Sequence, residues 1–169
     1  MAIVDVLKVF NALKKQGAID EFMLFGSVAA MAYTRPFFTR DIDIAVAVKG
    51  GDRAFLGLFK QLAEFGKIQG HAVVIQDTPV EVFPANISPI IQDALEAPDV
   101  KQVEGITVNV AKPEHLLLEA LRVHRSQDKA RVLLLDEVVH QDTLRKLFKR
   151  LDHDGTLARR YQALTQKAP

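Results

Sequence analysis

Two short segments set acidic side chains among apolar, strand-forming residues: Asp41-Ile42-Asp43-Ile44 and Val80-Glu81-Val82. On a β-strand residues two apart share a face, so Asp41 and Asp43 project together while Ile42 and Ile44 turn toward a core. Side-by-side carboxylates repel one another and are costly to keep ionised near apolar surroundings. A divalent cation compensates them, and Mg²⁺ prefers hard oxygens completed by water and phosphate. If the strand carrying Glu81 lies beside the one carrying Asp43, three carboxylates can hold two ions about 3.5–4 Å apart. One ion of such a pair acidifies an attacking hydroxyl, and the other stabilises a triphosphate and its departing pyrophosphate.

Gly26-Ser27 supplies the complementary half. Glycine allows close approach of the backbone to a ligand. A helix starting there would offer free N–H groups and a positive dipole end to phosphate, with the Ser27 hydroxyl as a further donor. Asp-x-Asp alone, or a strand ending in Gly-Ser alone, is ordinary. Their combination is more selective: a short apolar run Phe22–Phe25, Gly-Ser, a small apolar stretch, and thirteen residues later an Asp-x-Asp heading a second apolar run.

Positioning these residues requires a sheet and helices. Ile3, Val6, Leu7, Phe10 and Leu13 follow helical spacing, with Gly17 placed to end the helix. Phe22–Phe25 predicts a buried strand, Val28–Tyr33 a short helix, Thr34–Thr39 a loop, and Asp41–Val48 a second strand. Lys49–Asp52 reads as a turn before an amphipathic helix carrying Phe55, Leu58, Phe59 and Leu62, which ends near Gly66. Strands are expected at His71–Gln76 and Val80–Phe83, joined through Asp77-Thr78-Pro79. Ser88-Pro89 starts a short helix with Ser as N-cap, and Val100–Val103 and Ile106–Val110 flank a tight Glu104-Gly105 hairpin. From Pro113 the pattern is helical throughout, with Asp142 and Asp154 as expected N-caps. The expected architecture is α/β (α+β): a mixed catalytic core over residues 1–111 and an all-helical part over residues 112–169.

Composition agrees. A chain of 169 residues, 49% hydrophobic and 25% charged, has the make-up of one folded domain. The absence of Cys excludes disulfides, thiolate metal sites and cysteine nucleophiles. No apolar run reaches the roughly 20 residues that span a bilayer, and Met1–Phe10 has helical periodicity in place of a signal-peptide core. A soluble protein of the cytoplasm is expected, with no membrane partner. Net charge is only +1, but residues 112–169 carry 12 basic and 8 acidic residues against 10 and 13 in residues 1–111. The acidic half holds the expected metal cluster, and the basic half holds candidates for gripping phosphate or RNA.

From Phe22 to Glu81 the chain resembles the nucleotidyltransferase superfamily, with its Gly-Ser, a spacer of about a dozen residues, and Asp-x-Asp. The resemblance implies a short mixed sheet flanked by helices. It assigns phosphate binding to Gly26 and Ser27, metal binding and catalysis to Asp41, Asp43 and Glu81, and Mg²⁺ (two ions, or Mn²⁺ in their place) as cofactor. Ala29-Ala30, Tyr33, Arg35 and Thr39–Ile44 are most similar to small prokaryotic members, including the AbiEii-like toxin branch. That likeness adds Thr39 and Arg40 to the nucleotide-binding set and an antitoxin to the partners. Phe37 stands where that branch carries arginine, and Ala120 where it carries lysine.

In the helical part, Arg122, Arg125, Lys129 and Arg131 fall on neighbouring turns and can engage triphosphate or an RNA backbone, with Asp128 orienting one of them or acting as a base. Arg125 and Asp128 are taken as nucleotide-binding candidates; the alternative is a solvated face laced with ion pairs. His115 and Glu119 share a helix face, but no third zinc ligand is evident. Arg145, Lys146, Lys149, Arg150, Arg159 and Arg160, with Phe148 and Tyr161 nearby, form a second basic patch of a kind that binds RNA or simply faces solvent. P-loop and dinucleotide-binding glycine patterns are absent. The expected activity is transfer of a nucleoside monophosphate from an NTP to a hydroxyl of RNA (such as tRNA) or protein, in a toxin-like role. The alternatives are a small-molecule, antibiotic-type acceptor and a catalytically silent nucleotide-binding protein.

Overall fold

The computed structural model describes residues 3–167; Met1 and Ala2, the start of the stretch expected to be helical, lie outside the described residues. Helix α1 (Ile3–Lys15) buries Val6, Leu7, Phe10 and Leu13, the stripe its spacing predicts, and Gly17 follows at φ +75°. Strand β1 (Glu21–Phe25) runs into the one-turn helix α2 (Gly26–Ala30), and β2 (Ile42–Ala47) follows the loop. After α3 (Gly51–Leu62) come β3 (Lys67–Gln69), β4 (Ala72–Ile75) and β5 (Thr78–Pro84). Helix α4 (Pro89–Glu96) and the hairpin β6 (Asp99–Val103) and β7 (Ile106–Val110) complete the mixed part. Helices α5 (Pro113–Val123), α6 (Ser126–Asp136), α7 (Gln141–Leu151) and α8 (Thr156–Thr165) follow.

One mixed sheet contains all seven described strands, in the order β3-β4-β5-β2-β1-β7-β6. The centre positions the acids: β2 is antiparallel to β1 and parallel to β5, in a register that sets Asp43 opposite Phe25 on one side and Glu81 on the other. Directly opposed residues of neighbouring strands share a face, so the lateral meeting of Asp43 and Glu81 expected from sequence is the observed register. The central strands are fully buried at Ile42, Ile44 and Val80. Those apolar positions fix the pairing, because a one-residue slip would drive them out of the core and the acids into it.

Helix α5 lies at the junction. Every residue from Pro113 to Leu121 is buried, including Glu114, His115 and Glu119. It packs against α2 and α4 of the mixed part and against α6, α7 and α8, so one buried helix touches both parts. Ser88 caps α4 as expected, its Oγ accepting the Ile90 N–H at 3.2 Å.

Some expectations need correction. The turn between β4 and β5 is Gln76-Asp77, both at positive φ, and Thr78 and Pro79 already belong to β5. Strand β3 has no counterpart in the sequence reading; of its three residues only Ile68 is even partly buried. Helix α7 starts two residues earlier than a cap at Asp142 implies, with His140 as N-cap and Asp142 in the first turn. Gly155 is the N-cap residue of α8, and Asp154 sits just outside, its carboxylate accepting the Thr156 N–H. Among the described residues no helix is long and apolar enough to cross a membrane.

Candidate active site

The site forms where β1 ends. Gly26 adopts φ +58°, a conformation open to glycine, and its missing side chain makes room for an acid. A Cβ built there would stand 1.8 Å from Oδ2 of Asp43 and 2.6 Å from its Cγ. The Asp43 carboxylate thus lies against the backbone at the strand-to-helix turn, where it accepts the Ser27 N–H. Glycine is required here by an acid of its own chain.

Asp43 is pushed up to about 6, chiefly by burial, then by the negative charges of Asp41 and Glu81, against the opposing pull of Arg131 and the Ser27 N–H. Asp41 is anchored by Thr39, whose Oγ1 donates to its Oδ1 at 3.0 Å. Thr39, assigned above to nucleotide binding, therefore orients a carboxylate directly. Asp41 and Glu81 both repel the buried Asp43 carboxylate, which is a demand for positive charge, and the hard oxygens suit a divalent cation. Among the described residues no group of three His, Asp or Glu side chains closes into a finished metal cage. Donor type and the register of Asp43 against Glu81 suit a divalent ion, while the side chains as they stand do not close around one.

The helical part reaches this face through α6. Asp128, 1% exposed, accepts from the Arg125 backbone N–H at 3.1 Å, from Arg125 Nε at 2.9 Å and from Arg131 Nη1 at 3.3 Å. Its carboxylate is occupied in capping α6 and aligning two guanidiniums. Arg131 Nη2 donates to Ser27 Oγ at 2.6 Å, tying α6 to the Gly-Ser turn. The Arg125 side chain remains 62% exposed; its hydrogen bond to Asp128 holds its pKa up against partial burial, with the charges of Asp128, Asp43 and Glu81 adding to the rise. Sequence spacing places Arg131 in a basic cluster but gives no sign of its contact with Ser27, 104 residues away.

Two clefts meet at Arg131. The larger, about 570 Å³, is lined by Ser27, Phe37–Asp41, Gln127, Ala130, Arg131 and Leu134. The smaller, about 130 Å³, lies on the other side and includes Gly26, Asp43, Phe83, Glu119, Arg125 and Asp128. All of the expected site residues except Glu81 line one or the other, and Glu81 is registered beside Asp43.

The weaker sequence signals resolve into structure. His115 pairs with Asp93 at 2.8 Å, while Glu119 is held by Ser88 and Arg122, so the two are not a zinc pair. In the second basic patch Arg145, Arg150, Arg159 and Arg160 all bond within the chain, and Phe148 and Tyr161 are buried core residues that no nucleic acid could stack on.

Solved structures share this fold. A nucleotidyltransferase-like antigenic protein of Paracoccidioides brasiliensis superposes with a TM-score of 0.57 at 17% identity, over 96% of this chain and 95% of that one. The chain has the nucleotidyltransferase fold. The antibiotic-resistance factor ANT(2'')-Ia matches in solution with a TM-score of 0.56 at 13% identity, over 97% of this chain and 95% of that one. A crystal structure of ANT(2'')-Ia with adenylyl-2''-tobramycin matches with a TM-score of 0.56 at 11% identity, over 90% of this chain and 98% of that one. No protein-family model and no curated protein matches the chain by sequence.

Proposed function

We propose that the chain is a divalent-metal-dependent nucleotidyltransferase, moving a nucleoside monophosphate from an NTP to a hydroxyl acceptor. The observation that carries this reading is the register of Asp43 against Glu81, with Asp41 just ahead of β2 and near enough to raise the Asp43 pKa, and Gly26-Ser27 at the end of the adjoining strand. Asp41, Asp43 and Glu81 would hold Mg²⁺ or Mn²⁺, which when bound supplies the positive charge that activates the hydroxyl and offsets the triphosphate. The acceptor oxygen bonds to the α-phosphorus, the bond from that phosphorus to the β-phosphate oxygen breaks, and pyrophosphate leaves. Glu81, registered beside Asp43, would take the acceptor's proton.

The other residues orient and neutralise. Arg131 fixes the Ser27 hydroxyl as a hydrogen-bond acceptor, so the hydroxyl proton is free to point at a phosphate oxygen. Arg125, exposed and held through Nε and Nη2 by Asp128, leaves its Nη1 for phosphate, and Arg40 stands on the wall of the larger cleft. The Ser27 N–H is already donated to Asp43 and α2 is a single turn, so phosphate binding falls to side chains more than to the helix end.

An RNA or protein acceptor in a toxin-like role, with an antitoxin as partner, follows from the family resemblance. A small hydroxyl compound is favoured by a specific observation: four arginines of the second basic patch are spent on intramolecular bonds. The likeness to ANT(2'')-Ia supports the same choice. Incubation with each α-labelled NTP, Mg²⁺ and either total RNA or cell lysate tests both. Transfer of label with release of pyrophosphate is expected, and should vanish in an Asp41→Asn/Asp43→Asn variant. Label in RNA or protein supports the toxin-like acceptor, and label in small molecules alone rejects it. NTP binding without transfer to any acceptor would make the chain a silent member of the fold.

A further inference from the structure

Among the described residues the most exposed large apolar side chain is Phe38, at 83%. Its neighbour Phe37 packs against the core, so the loop has an apolar anchor and Phe38 adds nothing to it. The ring stands in the wall of the 570 Å³ cleft that also contains Ser27, Asp41 and Arg131. The Arg40 guanidinium lies over the ring, 5.9 Å from its centroid. The backbone next to it is pinned by Thr39, which bonds to Asp41. Ala130 and Leu134 of α6 supply small and apolar surface to the same cleft. An aromatic ring with a cation on one face and a cleft beside it is a stacking platform for a flat, electron-poor ring.

We infer that Phe38 stacks the nucleobase of the bound NTP, in the slot between the loop preceding β2 and helix α6. The inference rests on the nucleotidyltransferase reading and adds to it the seat of the base. Every base has a π face, so stacking on Phe38 strengthens binding of all four NTPs alike and does not choose among them. Discrimination would fall to polar groups of the cleft such as Gln127. Inorganic tripolyphosphate has no base, and its binding does not involve Phe38.

Calorimetry of each NTP and of inorganic tripolyphosphate, with Mg²⁺, on wild type, Phe38→Ala and Phe38→Trp tests this. Phe38→Ala should weaken every NTP about ten-fold and leave tripolyphosphate unchanged. The chain contains no Trp, so Phe38→Trp carries a sole indole whose emission should be quenched by each NTP and not by tripolyphosphate. An exposed loop position tolerates these changes without loss of fold, which the unchanged tripolyphosphate binding verifies. NTP binding by Phe38→Ala equal to wild type, a parallel loss of tripolyphosphate, or an unresponsive indole in an NTP-binding protein would overturn the assignment of Phe38 alone. Wild type that binds neither NTP nor tripolyphosphate would remove the nucleotidyltransferase reading as well.

Discussion

Replacing Gly26 by alanine puts a methyl group where the Asp43 carboxylate lies. Two costs add. At φ +58° any L side chain is strained by about 1–2 kcal/mol. The new Cβ would also stand 1.8 Å from Asp43 Oδ2, so the carboxylate must leave, losing the Ser27 N–H and moving among buried neighbours, for about 2–3 kcal/mol more. The sum, about 3–5 kcal/mol, is a large share of the roughly 5–15 kcal/mol that holds a domain folded. Gly70, in the β3–β4 turn, separates the costs: its φ is +63° and a Cβ there meets nothing within 4 Å, so Gly70→Ala should lose only the backbone share. In an Asp43→Ala background the two nearest contacts disappear and the next is at 3.0 Å, so Gly26→Ala should cost about 2 kcal/mol less than in wild type. Urea unfolding followed by circular dichroism measures all five proteins. A Gly26→Ala cost equal to that of Gly70→Ala, or unchanged by Asp43→Ala, would refute the seating of Asp43 against the glycine.

Two further outcomes follow from the helical part. Arg131→Met removes the bond to Ser27 and one of the two cations on buried Asp128; since Arg125 remains, the loss should be about 2–3 kcal/mol in urea, with weaker NTP binding. Arg131→Lys should rescue little, because one ammonium cannot span both partners, and a loss under about 0.5 kcal/mol would contradict the tie. His115 concerns pH. It is buried, its Nε2–H donates to Asp93, which also takes Arg150, and its Nδ1 has no partner among the described residues. Burial holds its pKa below the ordinary 6.5 despite Asp93 and Glu114, with Lys112 adding to the lowering. The folded state then binds fewer protons than the unfolded one, so this contribution is complete above about pH 6.5 and declines as pH falls below it. Unfolding midpoints between pH 7 and 5 should fall less steeply for His115→Gln than for wild type, and parallel curves would contradict the assignment.

Much of the acidic face is legible in sequence because strand periodicity is local. Ile42 and Ile44 fix which way Asp41 and Asp43 point, and Val80 and Val82 do the same for Glu81. Gly26-Ser27 is legible as a turn, although the reason for the glycine, a carboxylate from another strand, is not. The tie from Arg131 to Ser27 is tertiary and leaves no periodic trace. Basic residues at helical spacing look alike whether they face solvent, as Lys146 and Lys149 do, or bond within the chain, as Arg150 and Arg160 do. Phe148 and Tyr161 sit next to charges in sequence yet pack against each other in the core, since neighbours on a helix point in different directions. The Gln76-Asp77 turn was displaced from Asp77-Thr78-Pro79 because Pro79 is a strong turn signal that here opens an interior position of β5.

The central claim is that Asp41, Asp43 and Glu81 act with Ser27 and Arg131 as one metal-dependent triphosphate site. Titration of wild type and of Asp41→Asn/Asp43→Asn with an NTP, with and without Mg²⁺, addresses it directly. Binding by wild type that requires Mg²⁺ and is lost in the double variant, with its fold intact, is the expected result. Equal binding by both proteins, or binding indifferent to Mg²⁺, would contradict it.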